Sequence, residues 1–285
     1  MDVEKTTREF YDKYGWVVTD SKSGEERSFR QFSKPFYAYH RKVKERVMAC
    51  FAGHSGKLLI AGGGDLPHPH IDIARRFANV CCVDISWRAL DIAKTKLGIG
   101  SEFILGSILN LPLPDDHVDA VYCAHVIYHI DAELQERAVG ELIRVTKPGG
   151  RVVIIYGNPT SLIGKIVDRK KRLPLLWRLS RRVAAPTEKP YKAELSLYFA
   201  LHPLDWWNRF QAKCSVRLLP WDVMSAYQER ELLWTDPLAA VVYRFCVWLE
   251  DKHPALAVKW WQYPVVILDK QPRSLGAHGP SDPMK

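Results

Sequence analysis

Short apolar runs alternate with helically spaced ones along the first half of the chain. Residues 57–61 (KLLIA), 79–85 (NVCCVDI), 102–105 (EFIL), 119–124 (DAVYCA) and 151–156 (RVVIIY) are apolar almost throughout. That pattern predicts strands buried on both faces. Between them, residues 69–78 (PHIDIARRFA), 87–98 (WRALDIAKTKLG) and 132–146 (AELQERAVGELIRVT) carry apolar positions at helical spacing. Ser86 and Asp131 stand where helix caps are expected, Gly98 where a helix closes, and Lys147-Pro148-Gly149-Gly150 where a turn is expected. Upstream, Tyr39, Val43, Val47, Met48 and Phe51 predict an amphipathic helix over residues 36–52.

Strands alternating with helices predict a parallel sheet covered on both faces, doubly wound because crossovers are right-handed. After Tyr156 the rhythm breaks. A helix over 201–213 (LHPLDWWNRFQAK), a strand at 215–219 (SVRLL) and a last strand at 264–270 (PVVILDK) complete the pattern. The expected fold class is α/β, with a doubly wound, mostly parallel seven-stranded sheet in a single domain. Residues 1–52 form its helical N-terminal cover, 53–158 the core, 159–200 and 221–262 two insertions over the acceptor side, and 263–272 the last strand.

At 285 residues, with 47% hydrophobic and 26% charged residues, the chain has the composition of a globular protein with one substantial core, which excludes disordered and fibrous classes. The N-terminal residues lack a signal-like apolar core, and no apolar run is long enough to span a bilayer, so a soluble, cytoplasmic protein is expected. The six cysteines form no CxxC pair and read as reduced core thiols. The net charge of +9 is concentrated: residues 161–192 hold ten Lys or Arg against Asp168 and Glu188.

The glycine-rich stretch at 58–70, LLIAGGGDLPHPH, follows the first predicted strand. Ligands of doubly wound sheets bind beyond the carboxyl ends of the strands, and glycines there let backbone approach a ligand closely. Pro67 stands where a dinucleotide fingerprint needs its third glycine, which weakens a hydride-transfer reading. Asp84, at the end of the second strand, suits a ribose diol. His68, His70 and Asp72 form an HxHxD cluster, but flanking prolines and the lack of a further ligand cluster favour loop residues over a metal site.

Further along stand Leu111-Pro112-Leu113-Pro114, Asp119-Ala120-Val121, His125-Val126-Ile127-Tyr128-His129 and Lys147-Pro148-Gly149-Gly150. In order and spacing, residues 36–158 resemble the class I S-adenosylmethionine-dependent methyltransferases of the methyltransferase-11 type. The resemblance implies S-adenosyl-L-methionine as cofactor. It puts Gly62, Gly63 and Gly64 at the methionine and ribose part, Asp84 on the ribose hydroxyls, and Ile85 and Ile108 on the adenine. Ser107 falls where the family often has an aspartate for the adenine amino group. Ala124 and His125 would line the methionine, and Tyr14, with Tyr11, would fold over the cofactor. Two positions depart from the pattern: Ile60 replaces an acid, and Leu66 replaces a glycine. Both predict a weaker grip on the methionine ammonium unless Asp65 turns inward.

His129 is the candidate general base, with a scaffold role for both His125 and His129 as the alternative. Tyr198, His202, Trp206 and Trp234 are the candidate acceptor contacts, although tryptophans of the late segment more often build core. The expected function is methyl transfer to a hydroxyl or amine of a small molecule, sugar or lipid-linked saccharide. The alternatives are a non-catalytic cofactor-binding scaffold and an RNA methyltransferase. The basic segment, mixed with Leu, Ile and Trp, reads as a peripheral contact with anionic membrane or a lipid-linked acceptor, or as a solvated helix. Without an attached RNA-binding module, nucleic acid comes last among its partners.

Overall fold

The computed structural model describes residues 2–19, 22–25, 32–98, 100–172 and 197–272. Most of the basic segment, from residue 173 onward, lies outside the described residues.

Seven strands form one sheet: β1 (Lys57–Ala61), β2 (Asn79–Asp84), β3 (Glu102–Leu105), β4 (Val118–Ala124), β5 (Thr146–Ile155), β6 (Cys214–Asp222) and β7 (Tyr263–Lys270). Their order across the sheet is β3-β2-β1-β4-β5-β7-β6, with β7 antiparallel to both of its neighbours. The strand order reverses between β1 and β4, the place where such sheets bind ligands. Successive residues alternate between two cores. Leu59, Ala61, Val121 and Cys123 pack on one face, and Leu58, Ile60, Ala120 and Tyr122 on the other.

The helices are α1 (Val3–Phe10), α2 (Lys34–Ala49), α3 (His68–Ala74), α4 (Trp87–Leu97), α5 (Gln135–Val145), α6 (Leu162–Lys171), α7 (Ala226–Leu232), α8 (Asp236–Lys252) and α9 (Pro254–Trp260). Their ends follow the capping chemistry. Ser86 Oγ accepts from Ala89 N at 3.3 Å to start α4, and Gly98, at φ +75°, ends it. The predicted turn at residues 147–150 is instead a bulge inside β5. Gly149 there has φ +78°, and the ladder to β4 resumes after a register shift. The predicted helix over 201–213 is a shorter 3-10 helix, Leu204–Phe210. Lys270 Nζ, on β7, donates to Asp116 Oδ1 at 2.7 Å and to Thr146 O at 2.6 Å, which closes the end of α5.

A third core joins the N-terminal cover to the second insertion. Phe36, Tyr39 and Val43 of α2 pack against Tyr243, Cys246 and Leu249 of α8 and against Trp261. Buried carboxylates pin this contact. Glu250 accepts from Tyr39 Oη at 2.7 Å and Trp261 Nε1 at 2.8 Å and pairs with Arg46. Glu229 accepts from Ser33 Oγ at 2.6 Å and Tyr243 Oη at 2.7 Å. Paired in this way, buried charge fixes the register of α2 against the insertion.

Candidate active site

One cavity of about 1330 Å³ opens at the carboxyl ends of β1, β2 and β4. Its floor is the loop after β1. Gly62 and Gly64 hold φ values of +68° and +54°, in the left-handed region that favours glycine. Neither has room for a side chain. A Cβ on Gly62 would lie 2.4 Å from Val126 Cγ2, and one on Gly64 would lie 2.5 Å from Trp16 Cζ2.

Asp84 ends β2 beside this loop. Its Oδ2 accepts from Gly64 N at 3.0 Å and its Oδ1 from Ser86 N at 2.9 Å. Burial pushes its carboxyl up to about 6, although these backbone N–H groups favour the charged form. Near pH 7 it therefore stands as a desolvated carboxylate, an acceptor suited to a diol. Ile85, Ser107 and Ile108 line the cavity next to it, and Ala124 and His125 line the wall above β4.

The N-terminal cover closes this end. Tyr11 and Tyr14 line the cavity, Tyr11 stacks on Trp16 with centroids 5.3 Å apart, and the Trp16 ring sits over Gly64. Ser86 Oγ donates to Asp12 Oδ1 at 2.6 Å, which holds the cover to the start of α4.

The two departures from the glycine pattern lie in this loop. Leu66 keeps a left-handed backbone, φ +50°, without being glycine, and its side chain is fully buried with Ile60. Asp65 turns away from the cavity: its carboxylate faces Lys96 Nζ at 3.9 Å, and it is not among the lining residues. The inward acid that the sequence left open is therefore not supplied by Asp65.

His129 lines the cavity in the 3-10 turn after β4 (Ile127–His129). Its Nδ1 lies 2.8 Å from Tyr198 O. A carbonyl only accepts, so Nδ1 carries the proton and Nε2 keeps a lone pair. Burial lowers its pKa to about 4, which keeps the ring neutral. His125 is held differently, at φ +62° with Nδ1 2.8 Å from Tyr128 Oη, its ring packed between Trp221 and Tyr263. The same cavity has an aromatic lining of Phe36, Tyr128, Phe199, Trp221 and Tyr263, with His40, Asp222 and Arg230 as polar points.

All ten of the predicted cofactor contacts line this one cavity, as does His129. The four predicted acceptor contacts do not, which corrects that expectation. His202 stacks on Trp206 with centroids 4.5 Å apart, and both border a separate shallow hollow. Trp206 belongs to the main core. Tyr198 works through its backbone, holding His129, while its Oη accepts from Ala132 N at 3.2 Å. Trp234 lies at the surface, its Nε1 donating to Glu231 O at 3.2 Å. The sequence missed the aromatic wall because its members come from α2, the turn after β4, the stretch before residue 200, β6 and β7, and no local spacing links them. Asp72 pairs with Lys44 and Arg75, and among the described residues no group of acids, histidines and cysteines is placed to hold a metal ion.

A sheet of this order, with glycines after β1 and a carboxylate closing β2, defines a class I, Rossmann-like nucleoside-cofactor fold. Residues 59–154 match the methyltransferase-11 family model, described as a methyltransferase domain, in agreement with the resemblance to class I S-adenosylmethionine-dependent methyltransferases read from the sequence. The chain is 28% identical over 155 residues to a ubiquinone/menaquinone biosynthesis C-methyltransferase of Francisella tularensis subsp. novicida, covering 50% of this chain and 61% of the relative. Over 115 residues it is 32% identical to a malonyl-[acyl-carrier protein] O-methyltransferase of Pectobacterium atrosepticum, covering 40% of this chain and 44% of that protein. The chain thus spans less than two thirds of the length of either relative. The fold superposes on DhpI in its SAH complex with a TM-score of 0.57 at 14% identity, covering 95% of this chain and 98% of that one.

Proposed function

We propose that the protein transfers a methyl group from S-adenosylmethionine to an oxygen or activated carbon of an apolar, ring-bearing small molecule. The observation that carries this is the continuity of the cavity. Its glycine and Asp84 end and its aromatic chamber form one space of about 1330 Å³. Single-ligand pockets run to roughly 300–1,000 Å³, so there is room for cofactor and acceptor together.

The residues present fit the cofactor. Gly62 and Gly64 leave the backbone bare, Asp84 offers a carboxylate to a ribose diol, and Ile85 and Ile108 give apolar contact to a flat base. Asp65, turned to Lys96, offers no carboxylate to the ammonium from inside the cavity. The cofactor supplies an electrophilic methyl on a sulfonium, which needs chiefly in-line approach and exclusion of water. The rings of Trp221, Tyr263 and Tyr128 hold the acceptor and keep the site dry. The neutral His129, with Nδ1–H fixed on Tyr198 O, takes the acceptor's proton through Nε2.

The aromatic chamber favours a ring-bearing acceptor over a saccharide. Calorimetry with S-adenosylhomocysteine, followed by labelled methyl transfer to phenols, quinols and glycans, tests the reading. Absence of S-adenosylhomocysteine binding would overturn it, and labelled glycans alone would overturn the acceptor class.

We also propose a peripheral contact with anionic membrane. The described part of the basic segment, α6, exposes Lys165 and Arg169, and Lys170 Nζ lies 5.5 Å from the ring centroid of Trp234. From there α8 presents Leu238, Val241, Phe245 and Trp248 on one exposed face. An apolar stripe beside cations matches an interfacial helix. Co-sedimentation with anionic vesicles at low salt, lost in Phe245→Asp, is expected. No binding at low salt, or a stripe that instead closes a dimer in light scattering, overturns the membrane contact.

A further inference from the structure

Helix α1 brings a carboxylate to the nucleoside end of the cavity. Glu4, in its first turn, accepts from Ser107 Oγ at 2.5 Å, and both residues line the cavity with Ile85 and Ile108. Ser107 Oγ is itself fixed, since it accepts from Leu109 N at 3.1 Å. Two more bonds hold the same cover in place: Ser86 Oγ to Asp12 Oδ1 at 2.6 Å and Thr7 Oγ1 to His129 O at 3.3 Å. These anchors set the position of Glu4, whose second oxygen, Oε1, makes no hydrogen bond among the described residues.

A carboxylate at the rim of an apolar slot is an acceptor in search of a donor. With Asp84 at the ribose end and Ile85 and Ile108 along the slot, the group presented at this rim is the edge of a flat base. On adenine that edge carries an exocyclic amine, which only donates. A 6-oxo purine presents lone pairs there, and a carboxylate repels them.

We propose that Glu4 is the acceptor for the 6-amino group of the cofactor's adenine, so that the N-terminal helix, tied to the sheet through Ser107, supplies the base specificity of the site. This rests on the cofactor reading above. It also places part of the nucleoside site outside the strand-and-loop core, on the N-terminal segment that lines this end of the cavity.

The test measures affinity for S-adenosylhomocysteine and for its analogue with a 6-oxo group in place of the amine, in the full chain. A hydrogen bond to a charged partner is worth roughly tenfold or more in affinity. The unaltered protein is expected to prefer the amino form by about tenfold or more. In Glu4→Ala that preference collapses to within about twofold, mainly through loss of affinity for the amino form. Glu4→Gln, which keeps an acceptor oxygen and the helix, recovers part of it. Circular dichroism and melting of the three proteins confirm that the fold is retained. Equal loss of both ligands in Glu4→Ala, or undiminished preference, overturns the inference alone. No binding of either ligand by the unaltered protein overturns the cofactor reading and this inference with it.

Discussion

Ile60 and Leu66 converge on the space above Gly63. Ile60 Cγ2 and Leu66 Cδ2 lie 3.1 Å and 3.0 Å from the point that a Cβ on Gly63 would occupy. The two positions that depart from the family's glycine loop therefore form one packed unit, and Gly63 is the residue that admits them. A left-handed backbone costs a leucine about 1–2 kcal/mol. Full burial of its side chain contributes roughly 1.5–3 kcal/mol, and burial wins.

Leu66→Gly is accordingly expected to destabilise the protein by about 1–3 kcal/mol in urea unfolding, although it relieves the positive φ. A gain in stability would show that strain dominates at this site.

Asp84 sets the pH range of cofactor binding. Its carboxyl is pushed up to about 6 by burial, and only its charged form accepts from both hydroxyls of a diol. Protons and ribose compete, so affinity for S-adenosylhomocysteine is expected to be flat above about pH 7, to be halved near pH 6 and to fall by up to about tenfold per pH unit below it. The same group acts oppositely on the free protein. Because its folded pKa lies above the unfolded one, acidification through pH 6 stabilises the unliganded state. Asp84→Asn should remove the pH dependence and weaken binding by about 10- to 100-fold, as read by calorimetry.

Gly64→Ala adds a methyl where the Trp16 ring already sits, at a φ of +54°. A stability loss of about 1–3 kcal/mol is expected, together with weaker S-adenosylhomocysteine binding, since the cover must lift. An unchanged melting temperature would mean that Trp16 moves freely.

His129→Ala should leave S-adenosylhomocysteine affinity within about twofold and lower kcat by about 10²–10⁴ if proton transfer limits the rate. With its pKa near 4, the unaltered ring gives a kcat that is flat above pH 5 at saturating cofactor. An undiminished kcat would assign His129 to shaping the pocket.

Trp221 and Trp234 separate the wall from the surface. Trp221→Ala should raise KM for the acceptor by about tenfold or more, whereas Trp234→Ala should change neither KM nor stability by more than about 0.5 kcal/mol. The reverse result would relocate the acceptor.

Much was legible because it is local or periodic. Short apolar runs bounded by turn residues read as strands, although the edge strand β3 is only partly buried, and Ser86 and Gly98 mark the two ends of α4 through backbone chemistry within a few residues. The glycines after β1 and the acid after β2 fall at fixed offsets from strands that the sheet places side by side. That placed Gly62, Gly64, Asp84, Ile85 and Ser107 in one cavity. The late aromatic residues were misjudged for the opposite reason. Trp206 and His202 stack on each other away from the cavity, while Trp221 and Tyr263 reach it only because β6 and β7 pair antiparallel at the sheet's far edge. Asp65 was undecided in the sequence because its direction depends on Lys96, one helix away.

By itself, then, the sequence determined the strands, the helices between the first five of them, the cofactor floor and the positions where that floor departs from the resembled pattern. Tertiary structure alone decided that Asp65 faces Lys96 rather than the cavity, that Ile60 and Leu66 share one space, and that Glu4 reaches Ser107. Those relations join residues as far apart in the chain as α1 and the loop after β3, and only packing brings such distant side chains within reach of one hydrogen bond.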